Sequence, residues 1–199
     1  KDKTKQAIEK SKKGLGGLKT AALAVSAALA TIGAGRAITG LVQVGKEIES
    51  LQVRFKFLFG SVEEGNKAFD NLANFAAKVP FSLQEISAAS GNLAVVSKDA
   101  KDLSRILEIT GNVAAVTGLD FQTTASQIQR AFSGGIAAAD VFREKGVRSL
   151  LGFEQGAKVS IDATVKRFEE VFGKGGRFGN ATDELAKTFE GTVSMLGDK

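Results

Sequence analysis

The chain has 199 residues, 43% hydrophobic and 25% charged, a balance that supports a folded core and excludes a disordered polymer. It has no histidine and no cysteine, which removes disulfides, Cys/His zinc sites, thiol nucleophiles and serine–histidine triads; tyrosine and tryptophan are also missing, leaving 14 phenylalanines as the only aromatics. The net charge of +5 belongs entirely to residues 1–20, where seven lysines face two acids, so the remainder is neutral.

The leader offers Lys10, Lys12, Lys13 and Lys19 as contacts for an acidic partner. A solvated tail is the plainer use. A dedicated nucleic-acid arm would mix arginine and aromatics with the lysines, so no sequence-specific nucleic-acid binding is expected.

"TAALAVSAALATIGAG", Thr20 to Gly35, carries no charge. As a transmembrane helix it is short, since about 20 apolar residues are needed, and it is rich in alanine rather than leucine. As a secretory signal it would be cut near Ala28-Leu29-Ala30, yet the chain begins at Lys1 without methionine, as an internal segment of a longer protein would. The third reading is a helix whose small residues let another backbone come close. Ala24, Ala27, Ala28 and Thr31 supply that face for self-association or intrachain packing, with membrane contact as the second use.

Leu41, Val44, Ile48, Leu51, Phe55 and Leu58 are spaced as one face of a long amphipathic helix. Its end also alternates as a strand would, Leu51, Val53, Phe55, Phe57 and Phe59, but the helical period is already established upstream. Gly60 supplies the stop. Ser61 and Glu64 then read as a capping box, the serine oxygen accepting from the N3 amide and Glu64 reaching back to the Ser61 N–H. Phe69, Leu72, Ala73 and Ala76 continue at helical spacing up to Pro80, the one proline in the chain.

A second box follows at once, Ser82-Leu83-Gln84-Glu85, with Phe81 and Ile86 placed as a hydrophobic staple across it. Leu83, Ile86, Ser90 and Leu93 mark the next helix. Leu103, Ile106, Leu107 and Val113 mark another that ends near Gly118. Asp120 caps a helix bearing Phe121, Ala125, Ile128 and Phe132, broken by Gly134-Gly135, and a shorter element covers Ala137–Lys145. Ser160 caps a helix carrying Ile161, Val165, Phe168 and Phe172, and a last one spans Thr182–Phe189. No pair of strands emerges. The expected fold is all-α: a multi-helix domain of roughly six to nine helices, preceded by the Ala/Gly-rich helix and the long amphipathic one.

Catalytic and ligand motifs fail in turn. "GKGGRFG", Gly173–Gly179, misses both phosphate-loop templates and follows no strand, so it reads as a flexible linker in which Lys174 and Arg177 attract anions at most nonspecifically. Glu169 and Glu170 are adjacent and diverge by about 100° on a helix. Glu63-Glu64 stands in a helix first turn, where acids favour the dipole, and Asp99 and Asp102 flank a helix start and read the same way. No catalytic residue, metal ligand or cofactor site is read.

The order of motifs carries a resemblance. An Ala/Gly-rich helix, "FKFLFGSVEEGNKAFDNLANFAAKVPFSLQEI", "GLDFQTTASQIQRAFSGG" and the closing "TFEGTVSMLGDK" together resemble the N-terminal region of tail tape measure proteins of long-tailed phages and prophages, over residues 36 to 199. The most specific piece is Pro80-Phe81-Ser82. The resemblance implies a non-enzymatic, largely helical structural protein that sets tail tube length during assembly and leaves the tube at infection. It implies the virion tail lumen as location, reached from the host cytoplasm. The implied partners are the tail tube protein, tail assembly chaperones, tail tip or baseplate proteins and further copies of itself, with membrane contact at infection. It implies a piece of a longer protein, because 199 residues span only about 300 Å even as one helix. On this reading residues 1–20 are a basic leader, 21–60 the paired helices, and 61–199 the tape-measure-type helical domain. A pore-forming helical protein and a general helical scaffold are the rival readings.

Overall fold

A computed structural model describes residues 38–188, with side chains from Glu49 onward. The candidate contacts Lys10, Lys12, Lys13, Lys19, Ala24, Ala27, Ala28 and Thr31, and the side chains of Leu41, Val44 and Ile48, lie outside the described residues. Within them the architecture is an all-α multi-helix domain.

Helix α1 spans Ile38–Phe59 and settles the competition with a strand at its end. Leu51 and Phe55 are buried in the same core as the helices that follow, and Phe59 packs against that core with its ring 5.8 Å from Phe55. Leu58, expected on this face, is instead 44% exposed. The cause is the approach of helix α2 (Val62–Ala76), whose Gly65 lies over the α1 backbone at Gln52 and Lys56. That contact turns the buried face toward Phe55 and Phe59 and leaves Leu58 beyond its edge. Gly60 makes the turn between the two helices at φ +76°, a region that side chains rarely adopt.

Ser61 caps α2, its hydroxyl accepting from the Glu64 N–H at 3.1 Å. The reciprocal half of the expected box is not made. Glu64 accepts instead from Lys67 Nζ at 3.0 Å and from the Ala100 N–H at 3.4 Å, at the start of helix α4 (Ala100–Thr117). Orphan amides in the first turn of a packed neighbour compete for the same carboxylate.

Helix α3 (Leu83–Val95) carries the complete box: the Ser82 hydroxyl accepts from the Glu85 N–H at 3.2 Å, and Glu85 accepts from the Ser82 N–H at 2.9 Å. Ser82→Ala is therefore expected to cost about 1 kcal/mol. Pro80→Ala should stay within about 0.5 kcal/mol, because α2 already ends at Ala76 and does not need the proline to stop it. Urea melts followed by circular dichroism check both; a Ser82 variant as stable as wild type would mean that the cap contributes nothing.

Helix α4 lies at the centre, packed on α2, α3, helix α5 (Phe121–Gly134) and helix α8 (Ile161–Phe172). Its stretch from Ile109 to Ala114 is buried without interruption, so it is enclosed on all sides rather than amphipathic. Asp99 caps it, accepting from the Asp102 N–H at 2.8 Å, while Asp102 accepts from the Lys98 N–H at 3.0 Å. Gly118 closes it at φ +69°.

Asp120 then caps α5 through the Thr123 N–H at 2.7 Å. That backbone hydrogen bond holds its carboxyl below the usual aspartate range. A depressed folded pKa gives stability that is present above the unfolded value and lost as pH falls through the folded one. Asp120→Asn keeps a capping oxygen, so stability at pH 7 should barely move while the acid limb of the pH–stability curve, below roughly pH 4, becomes shallower. An unchanged acid limb would show that this carboxylate plays no part in it.

Phe121, Ala125, Ile128 and Phe132 of α5 are all buried. A 3-10 turn (Ile136–Ala138) and helix α6 (Asp140–Glu144) cover the expected short element, and helix α7 (Val147–Leu150) adds a turn that no periodicity announced. Ser160 caps α8. Phe168 and Phe172 are buried there, but Ile161, expected on the same stripe, is 42% exposed in the first turn. Beyond α8 the glycine-rich stretch is not a flexible linker: the Phe178 N–H donates to Val171 O at 2.8 Å, and the Phe178 ring lies 5.3 Å from Phe172. Helix resumes over residues 181–188.

Candidate functional site

Two of the stretches that carry the resemblance, those around Pro80 and Phe121, meet in space, while the Ala/Gly-rich helix and the closing stretch from Phe189 lie outside the described residues. Phe75 near the end of α2 and Phe81 in the corner before α3 both pack against Phe121 at the start of α5, with ring centroids 6.0 and 5.1 Å away. Phe121 is fully buried, while Phe75 and Phe81 are half-buried. The Ser82 and Asp120 caps fix the entry points of α3 and α5, and so the places from which these rings start. Ile86, the other end of the expected staple, is fully buried in the core. Ring pairs of this kind contribute about 0.5–1.5 kcal/mol each beyond their buried area.

From this corner the contacts continue into α4. A Cβ at Gly111 would lie 3.1 Å from Phe75 Cζ and 2.9 Å from Thr182 Oγ1, so the bare glycine backbone is what lets both neighbours approach. Next to it Asn112, 4% exposed, uses its whole amide. Nδ2 donates to Phe172 O at 2.9 Å and Gly179 O at 3.2 Å; Oδ1 accepts from the Thr182 N–H and hydroxyl, both at 2.9 Å. The carbonyl acts as a cap, supplied from another helix, for the helix over 181–188.

Two more buried polar side chains hold loops in the same way. Thr164 of α8 accepts from the Ile136 N–H at 3.1 Å, and Gln127 of α5 accepts from the Val141 N–H at 3.2 Å. Sequence reading passed over all three, because an amide or hydroxyl inside an apolar helix gives no periodic signal of its distant partner. The weak clue was polarity at positions a stripe would make apolar.

The charged residues are structural at the surface. Arg105 bridges Asp102 and Glu169, tying α4 to α8. Glu170 pairs with Arg167, whose hydrogen bond lowers its pKa, and Lys67 is raised by its bonds to Glu63 and Glu64. In the glycine stretch the Arg177 guanidinium lies over the Phe178 ring at 4.8 Å. Among the described residues no group of three acidic, histidine or cysteine side chains is placed to hold a metal ion. No helix among them is long and apolar enough to cross a membrane.

The end of α1 and the start of α2 leave an apolar edge in solvent: Val53, Phe57, Leu58 and Val62, with Phe57 77% exposed. Val53 and Phe57 are one turn apart and share a face. The described residues thus align helices and offer an apolar margin. Comparison of the chain with family models, curated proteins and solved structures finds no match.

Proposed function

We propose that the chain is a non-enzymatic structural segment of a phage or prophage tail tape measure protein, which sets tail tube length during assembly and leaves the tube at infection. The observation that carries the reading is the corner at Phe121. The motif around Pro80 and the motif around Phe121, some forty residues apart, are one packed unit whose work is to set helix directions. The apolar edge at Phe57 suits packing against further copies, tail assembly chaperones or the tube wall.

The test is made in the phage or prophage that encodes the chain. In-frame deletions in the helical part of the parent reading frame should shorten the tail in proportion, by roughly 1.5 Å per residue for a single extended helix. Tails of unchanged length, measured by negative-stain electron microscopy, would overturn the reading. A pore-forming protein would instead release dye from vesicles, and a general scaffold would do neither.

A further inference from the structure

Residues 179–188 are joined to the rest of the described body at few points, and Thr182 is the buried residue among them. In the helix over 181–188, Asp183, Glu184 and Lys187 are exposed, Leu185 is 40% exposed, and the one ion pair, Lys187 with Glu184, is internal to that helix. Between residues 179 and 187 the hydrogen bonds to the helices of the described body converge on Asn112, through Gly179 O and the Thr182 N–H and hydroxyl. Just before them Phe178 is anchored to α8 by its N–H on Val171 O and its ring on Phe172. The turn that leads into this segment contains Gly173, Gly175, Gly176 and Gly179, with Gly175 at φ +82°. Segments with little buried area and few anchoring bonds open locally, well below the cost of global unfolding.

We propose that residues 179–188 form a strap that docks and undocks as a unit over the Gly111–Asn112 notch of α4, with Asn112 as its latch and Gly179, next after the anchored Phe178, as its hinge. Docked, the strap fills the notch with Thr182 and fixes the direction of the helix over 181–188. Undocked, it frees that helix and bares a polar amide set in an apolar groove beside Phe75. The inference stands on the latch geometry alone and is independent of the tail reading.

Hydrogen exchange followed by mass spectrometry on the full chain tests it. In the wild type, amides of 179–188 should exchange at least about tenfold faster than the core of α4, which opens only with the whole domain. Asn112→Ala should speed exchange of 179–188 by about tenfold or more, with α3 and α5 still protected. Because Asn112 is buried in the central helix, Thr182→Pro supplies the second arm. It removes both Thr182 donors from the strap side, at the second residue of the helix over 181–188, where the N–H has no partner within the helix. Free exchange in 179–188 with α4 intact in the proline variant supports the latch even if the Asn112 variant fails to fold. Unchanged protection of 179–188 in the proline variant, or its loss only together with α3, α4 and α5, overturns it.

Discussion

Phe168→Ala is expected to lower the unfolding free energy by about 3–5 kcal/mol, the usual cost of emptying a buried aromatic site. Phe168 is fully buried, and its ring packs against Phe132, Phe142 and Phe172 at 5.5, 5.8 and 6.0 Å. It therefore joins α5, α6 and α8 at one point, and its removal leaves a void bordered by three rings too stiff to collapse into it. A domain of this size is typically stable by about 5–15 kcal/mol, so the variant should sit near the threshold of folding at 37 °C. Phe168→Leu should recover much of the loss by refilling volume. The chain has neither tryptophan nor tyrosine, so the urea titration must be read by circular dichroism. A loss below about 1 kcal/mol for the alanine variant would show that the site relaxes freely.

Gly65→Leu is the second large effect, and Gly65→Ala decides its cause. A Cβ at Gly65 would lie 2.9 Å from Lys56 N and 3.1 Å from Lys56 Cα, both backbone atoms that cannot swing aside. Two terms oppose each other in the alanine variant. Helix propensity favours alanine over glycine by about 1 kcal/mol. Overpacking against an unyielding surface costs typically about 1–3 kcal/mol. We expect the second to win, so Gly65→Ala is net destabilising and Gly65→Leu more so, with α1 prised from α2. If alanine stabilises the protein, the two helices have room to separate and the close approach is not a constraint.

These two sites also show which parts of the fold are visible in sequence. Local devices were legible: Ser82, Asp120 and Ser160 each cap the helix that follows, and Gly60 and Gly118 close the ones before, because their chemistry is complete within four residues; Asp99, read only as an acid at a helix start, is a cap as well. Stripes were legible where every apolar position of the period is covered, as in α5. They blurred where a second neighbour turns the face, as at Leu58, or where a stripe runs out into the first turn, as at Ile161. Glu64 shows the limit of local reading: its box partner is three residues away, but the amide it chose belongs to Ala100. The Asn112 latch joins positions some 60 to 70 residues apart, and no spacing rule reaches that far. The corner at Phe121 was legible as two motifs and not as one site, since only packing brings the rings together.

The three side chains that hold the loops from inside, Asn112, Gln127 and Thr164, are all neutral. With no histidine, cysteine or tyrosine in the chain, no side chain has an ordinary pKa between about 5 and 10. These three anchors therefore exchange no protons across the range in which cells, buffers and endosomes differ, and every ion pair among the described residues has at least one solvent-exposed partner. Changes of acidity in that range leave the anchors as they are. Whatever in this protein responds to salt must come from its lysine-rich leader and its exposed ion pairs.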